Sequence, residues 1–174
     1  MNKLFLTPSQ CENAYKDCLK ELAIRISPKD IDLILAPLYG AIWFGRKLSY
    51  DWQVPWTGIE LSFSRNKFTN EVEKYKKKRI LLVDDIYDTG KTLEYFSNNF
   101  EYKSLYTATL TSKSYTPNVE GKQVIYGKYL EPHFWIVFPW EKEYEEALVG
   151  MDEMDRLRKT IEDTKNKVNF SSKS

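Results

Sequence analysis

From Cys11 the apolar residues Ala14, Tyr15, Cys18, Leu19 and Leu22 follow at three- and four-residue spacing, the rhythm of a helix with one buried face. Thr7-Pro8-Ser9-Gln10 precedes them, with Thr7 suited to cap, Pro8 to open the helix and Gln10 to reach back to the cap. The spacing predicts a helix from there to about Arg25. Ile31 to Ala36 reads as a short strand ended by Pro37; a turn at Gly40 and a second apolar helix, Ala41 to Tyr50, complete a β-turn-α unit. Ile59 to Phe63 alternates as a strand does, and the polar stretch Ser64 to Lys78 lacks an apolar period and is expected to be a mobile loop. Ile80-Leu81-Leu82-Val83 is unbroken apolar chain, as in a parallel strand covered on both faces. A helix from Thr89 to Phe100, strands at Leu105 to Thr111 and Phe134 to Phe138, and a helix from Glu141 to about Lys165 follow. Tyr144, Ala147, Leu148, Met151, Met154, Leu157 and Ile161 lie along one side of that last helix, and Asn169 to Ser174 is expected to fray. Alternating strands and helices predict an α/β fold with a central, mostly parallel sheet flanked by helices.

The 174 residues suit one domain, 1–174, with a core at about 31–141. Lys+Arg 26 against Asp+Glu 25 leaves a formal net charge of +1, so no global field draws the protein to nucleic acid or anionic lipid. Any anion site must be local. The apolar run at Met1 to Pro8 is too short for a signal peptide and no stretch approaches the length of a membrane span, so a cytoplasmic protein is expected. Cys11 and Cys18 fall on one helix face roughly 10 Å apart, too far to bridge; both are expected to be core thiols, with no Cys/His spacing for zinc.

Chemistry concentrates after Val83. In open parallel sheets ligands sit beyond the carboxyl ends of the strands, and there Asp84 and Asp85 are followed by Asp88-Thr89-Gly90-Lys91-Thr92. A glycine turn, two hydroxyls and the free N–H groups of an opening helix suit a phosphate monoester. The two acids suit sugar hydroxyls or Mg2+. The plainer alternative is that Asp88 and Thr89 cap a helix while Asp84 and Asp85 are solvated at a strand end.

The thirteen residues Ile80 to Thr92 resemble the signature with which type I phosphoribosyltransferases bind 5-phosphoribosyl-1-pyrophosphate (PRPP). That resemblance implies the family's single-domain fold with a small hood near the C-terminal third, Mg2+ as cofactor, and a dimer or tetramer. It implies Asp84 and Asp85 on the ribose hydroxyls and the metal, and Asp88, Thr89, Gly90, Lys91 and Thr92 around the 5′-phosphate, with Asp88 also the catalytic acid or base near N7 of a purine. Ala108-Thr109-Leu110-Thr111-Ser112-Lys113 and Trp135-Ile136-Val137-Phe138-Pro139-Trp140-Glu141 are similar to segments of the hypoxanthine/guanine/xanthine branch. They imply Lys113 on the 6-oxo group, Trp135 stacked on the base, the Ile136 backbone at its edge, and Glu141 near the Mg2+-pyrophosphate. Core packing is the other reading of Trp135 and Trp140, and an aromatic face does suit a flat heterocycle.

The resemblance covers about 31–141 and departs at one functional place. Where the family carries a basic residue before glycine in its pyrophosphate loop, this chain has Tyr39-Gly40, so backbone N–H groups are left to hold pyrophosphate. Arg46 and Lys47 are nearby cations, and Ser62 to Lys78 corresponds to the loop that closes over the site. Lys74, Lys76, Lys77, Lys78 and Arg79 read as a solvated basic run, and His133 as incidental. The expected reaction joins a 6-oxopurine to PRPP. Two rivals stay open: the same fold acting on another base, and a non-catalytic regulator sensing PRPP or nucleotides, which Tyr39 favours and the near-zero net charge disfavours.

Overall fold

The computed structural model describes residues 2–38, 40–60 and 75–149. Helix α1 (Pro8–Arg25) follows strand β1 (Asn2–Phe5) and starts on the capping box expected of its sequence. The Gln10 amide donates to Thr7 Oγ1 at 3.2 Å, and the Thr7 amide to Gln10 Oε1 at 2.8 Å. Two otherwise orphaned donors are satisfied reciprocally. Its stripe Cys11, Ala14, Tyr15, Cys18 and Leu22 is buried, and both cysteines are free.

Strand β2 (Leu33–Pro37), helix α2 (Ile42–Trp52), strand β3 (Trp56–Ile59), strand β4 (Arg79–Tyr87), helix α3 (Lys91–Asn99) and strand β5 (Ser104–Ser112) follow. After a two-residue hairpin pair, β6 (Asn118–Val119) and β7 (Lys122–Gln123), come β8 (Ile125–Tyr129), β9 (Phe134–Val137) and α4 (Lys142–Val149). Five strands form one sheet in the order β3-β2-β4-β5-β8, each pair parallel. Helices α1 and α2 cover one face, around Leu22, Ile34, Phe44, Leu48, Leu81 and Val83. On the other, α3 covers Leu35, Ile80, Leu82, Phe96 and Phe100. The alternation of Leu81 and Val83 against Ile80 and Leu82 shows why an unbroken apolar run was needed: β4 has no solvent face.

Several boundaries differ from expectation. β4 does not stop at Val83 but carries its ladder through Asp84 to Tyr87, pairing Asp84 with Thr109 and Tyr87 with Ser112. The strand expected at Ile59 to Phe63 is found at Trp56–Ile59, and residues 61–63 lie outside the described part. The Phe134 strand does not join the main sheet. β9 pairs in parallel with β1, a strand unforeseen in the sequence, in a separate two-stranded sheet joining the two ends of the described chain. The main-sheet edge belongs instead to β8, also unforeseen, because Gly127 and Lys128 break its apolar pattern. The loop expected at Ser62 to Lys78 and the last helix to Lys165 fall mostly outside the described residues, which include only a turn at 75–77 and α4.

Arg79, assigned to a solvated basic run, is structural. Its Nε and Nη2 donate to Asp32 Oδ2 and Oδ1 at 3.1 and 2.7 Å, and its amide donates to Oδ2 at 2.8 Å, locking the start of β4 beside that of β2. These hydrogen bonds hold the Asp32 carboxyl well below the usual carboxylate range. Stability from a depressed acid is present above its unfolded pKa, about 3.9, and is lost as the pH falls through the folded value. Asp32→Asn is therefore expected to lower the melting temperature at pH 7, with the gap from native narrowing below about pH 4; parallel melts from pH 2 to 8 test this, and a gap independent of pH would contradict it.

Candidate active site

Three chain segments meet where β2 and β4 end. β2 runs into Leu38 and, past residue 39, Gly40; β4 delivers Asp84 and Asp85; and residues 88–90 turn into α3. Together they line a cleft of about 270 Å3 that takes in Gly40 and every residue from Asp84 to Leu93. Gly90 turns with φ +78, a left-handed backbone that glycine adopts without strain, and no side chain caps α3. The first amides of the helix are thus free of any capping side chain beside the cleft.

The acids are not solvated strand-end groups. Asp84 is only 8% exposed, and its Oδ1 accepts the Asp85 amide at 3.0 Å. Burial, reinforced by the charge of Asp85, pushes the Asp84 carboxyl well above the carboxylate range. Burial likewise raises Asp85 to about 6. The Asp85 carboxylate lies so close to Gly40 that a Cβ built there would stand 2.1 Å from its Oδ2. A side chain at 40 would therefore force the Asp85 carboxylate to move. The Thr111 hydroxyl donates to the Asp85 carbonyl at 3.1 Å, pinning the strand backbone beneath the acid.

Lys113 and Asp88 are brought together. Continuing the β4–β5 register one residue past the Tyr87–Ser112 pair sets Asp88 opposite Lys113. The Lys113 amide donates to the Tyr87 carbonyl at 2.8 Å, and its Nζ lies 3.0 Å from Asp88 Oδ2. The lysine side chain is only 6% exposed and that of Asp88 51%, so a largely sheltered ammonium meets an open carboxylate at the rim.

The Trp segment splits in two. Trp135 on β9 is 51% exposed, not packed in the core, while Ile136 is buried. Trp140 stacks on Trp43 at 5.3 Å and Phe138 at 4.9 Å and does pack as core. Burial and then the charge of Asp85 raise the Glu141 carboxyl. Asp84, Asp85 and Glu141 were expected to share a metal, but among the described residues no three acid, His or Cys side chains are gathered into a ligand set. Glu141 lies within the field of Asp85. Lys47 is occupied elsewhere, 3.3 Å from Glu12 and over the Tyr15 ring, and does not substitute for a basic pyrophosphate loop. Tyr39 lies outside the described residues.

Residues 11–147 match the family described as phosphoribosyl transferase domain. The chain belongs to that family. Among solved structures, a purine phosphoribosyltransferase from Pyrococcus horikoshii is similar at 26% identity and TM-score 0.59, covering 82% of this chain and 96% of its own. A Neisseria gonorrhoeae protein with bound ppGpp shares the fold at 17% identity and TM-score 0.64, covering 91% and 97%. The xanthine-guanine-hypoxanthine phosphoribosyltransferase of Helicobacter pylori does so at 18% and 0.57, covering 85% and 99%. Fold neighbours also include an orotate and an adenine phosphoribosyltransferase. No curated protein matches the sequence. This enzyme is therefore a phosphoribosyltransferase whose resemblance to the purine branch, read from its motifs, has a counterpart among its structural neighbours.

Three residues beside the site had no role assigned from the sequence. Thr111 supports Asp85, Tyr87 lines the cleft, and Cys11 is close enough for the charge of Asp85 to add to the burial that raises its thiol to about 12. Tyr87 had a legible signal, since it lies inside the acid-rich signature, whereas Thr111 is placed only by the β4–β5 register, which sets it opposite Ile86 next to the acid.

Proposed function

We propose that this phosphoribosyltransferase is Mg2+-dependent and converts a 6-oxopurine and PRPP into a nucleoside 5′-monophosphate and pyrophosphate. The observation that carries the reading is the Lys113–Asp88 pair at 3.0 Å on the rim of the acid-lined cleft. The Lys113 ammonium has only donors and suits an oxo group; a 6-amino group would confront it with further donors. Asp88 on the same rim is set to take the proton that the base loses as its nitrogen lone pair bonds to C1′. The C1′–O bond breaks in the same step and pyrophosphate leaves with the electron pair. Asp84 and Asp85 hold the ribose hydroxyls, and the first turn of α3, with Thr89, Gly90, Lys91 and Thr92, holds the 5′-phosphate. Exposed Trp135 offers an aromatic face to the base and the Ile136 backbone its edge contacts. By sequence position, Tyr39-Gly40 is the segment assigned to the pyrophosphate.

The donor chemistry fits Mg2+. Two neighbouring carboxylates, both raised by burial and Asp84 further by the charge of Asp85, form a hard oxygen site that substrate oxygens would complete. When bound, the metal neutralises the departing pyrophosphate. Glu141, whose carboxyl feels the charge of Asp85, is assigned to the same metal-pyrophosphate.

The test is formation of nucleotide and pyrophosphate from PRPP and Mg2+ with hypoxanthine, guanine, xanthine, adenine and orotate in parallel. Turnover restricted to 6-oxopurines, falling about a hundredfold in Asp88→Asn, is expected. Preference for adenine or orotate would overturn the base assignment, and PRPP binding without turnover on any base would overturn the reaction.

A further inference from the structure

Tyr87 stands inside the signature at a position to which the chemistry above gives no task, yet its ring lies against the glycine of the phosphate-binding turn. Its ring lies over Gly90: a Cβ built on that glycine would come within 2.9 Å of the Tyr87 hydroxyl and 3.1 Å of two ring carbons. Its hydroxyl donates to the Asn118 carbonyl at 2.9 Å. Its own carbonyl accepts the Lys113 amide at 2.8 Å. One residue therefore joins the turn at 88–90, the strand end that presents Lys113, and the β6–β7 hairpin.

The hairpin is a firm anchor. Val119 is 3% exposed and Val124 fully buried, packed in one cluster with Leu93 and Phe96 of α3, against which Tyr87 itself packs. Glu120 Oε2 accepts the Ser97 hydroxyl of α3 at 2.7 Å, and the Val124 amide donates to the Pro117 carbonyl at 2.9 Å. The turn at 88–90, by contrast, has no capping side chain, and Asp88 and Thr89 are exposed. Apart from the Asp88–Lys113 pair, a turn built round a left-handed glycine is held in one conformation by what packs against it. Here that prop is the Tyr87 ring, and the hydroxyl bond to Asn118 fixes the ring.

We infer that Tyr87 is a positioning residue for the phosphate-binding turn: its ring against Gly90 and its hydroxyl on the Asn118 carbonyl hold the amides of residues 88–92 in the arrangement that receives the 5′-phosphate. The inference rests on the proposed assignment of that turn to the 5′-phosphate. Holding the receiving amides in advance removes an ordering cost from binding, so its loss appears in affinity for the phosphoribosyl substrate and not in affinity for the base.

Tyr87→Phe removes the hydroxyl and keeps the ring, so it tests the tether without opening a cavity. Two readouts are needed: backbone 15N order parameters of the ligand-free protein, and titration with ribose 5-phosphate. In Tyr87→Phe the order parameters of residues 88–92 fall while those of β4 and α2 stay at native values. Ribose 5-phosphate binds about fivefold more weakly, and the KM for PRPP rises with the KM for the base unchanged. Asn118→Ala behaves as native, because the acceptor is the main-chain carbonyl. Native order parameters at 88–92, a rise in both KM values together, or a loss of order spread evenly over the sheet would each overturn the inference. The order parameters do not depend on turnover. A native protein that makes no nucleotide defeats the proposed reaction, whereas an unaltered turn in Tyr87→Phe defeats this inference alone.

Discussion

Asp84→Asn and Asp85→Asn are each expected to raise the melting temperature at pH 7.5 while cutting turnover to below about one part in a thousand. The two effects share a cause. Burial at the end of β4 raises both carboxyls, Asp85 to about 6 and Asp84 well above the usual carboxylate range, so negative charge at this site is accommodated more readily by the unfolded chain. A raised acid works against folding in a definite window. Between the unfolded pKa, about 3.9, and the folded one the native state binds the extra proton, so stability falls as the pH rises through that range. Asp85's displacement from 3.8 to about 6 corresponds to about 3 kcal/mol. An asparagine amide still needs buried partners, which leaves a net gain of about 1–2 kcal/mol, or about 5 °C in a chain of this size. Thermal melts of native and variant proteins from pH 4 to 8 measure it, and the gain should vanish toward pH 4. A variant less stable than native at pH 7.5 would show that the pair is satisfied in the free protein and would remove the argument. On the proposed assignment such acids persist because they receive sugar hydroxyls and a cation, and their burial is offset only when these bind.

Gly127→Ala is expected to cost about 3 kcal/mol or more, seen as a fall of about 10 °C in melting temperature and an earlier urea midpoint. Gly127 lies in β8, where α1 crosses the sheet edge. A Cβ there would stand 1.9 Å from the carbonyl oxygen of Ala14 and 2.8 Å from that of Leu110. Both neighbours are main chain, fixed by the helix and by β5, and neither can move aside as a flexible side chain would. Relief requires α1 to lift from the sheet, drawing Cys11, Tyr15, Cys18 and Leu22 out of the core they share with Leu110 and Ile125. Gly121 supplies the contrast. Its φ is +76 but no atom lies within 4 Å of a built Cβ, so Gly121→Ala carries only the backbone penalty of about 1 kcal/mol. Equal losses in the two variants would mean that α1 is not pressed on β8 as described.

How much of this was legible beforehand depended on how far apart the interacting residues lie in the chain. The capping box of α1, the apolar stripe beneath it and the central place of β4 follow from neighbours within a few positions, where local periodicity and hydrogen-bonding capacity decide the outcome. The acid-rich turn was legible for the same reason, since two acids, a glycine and an opening helix are contiguous. β1 and β9 were a different matter: four short residues at one end find their hydrogen bonds with residues 134–137 at the other, and no local pattern announces a partner so distant. β8 was hidden because its glycine is required by the helix lying over it, a reason invisible within the strand. Local chemistry thus determined α1 with its buried face, the central strand β4 and the turn that carries the signature. Tertiary structure alone decided that Asp84 and Asp85 are withdrawn from water, that Lys113 closes on Asp88 and that Tyr87 spans to Asn118, because burial and contact belong to residues brought together from separate strands.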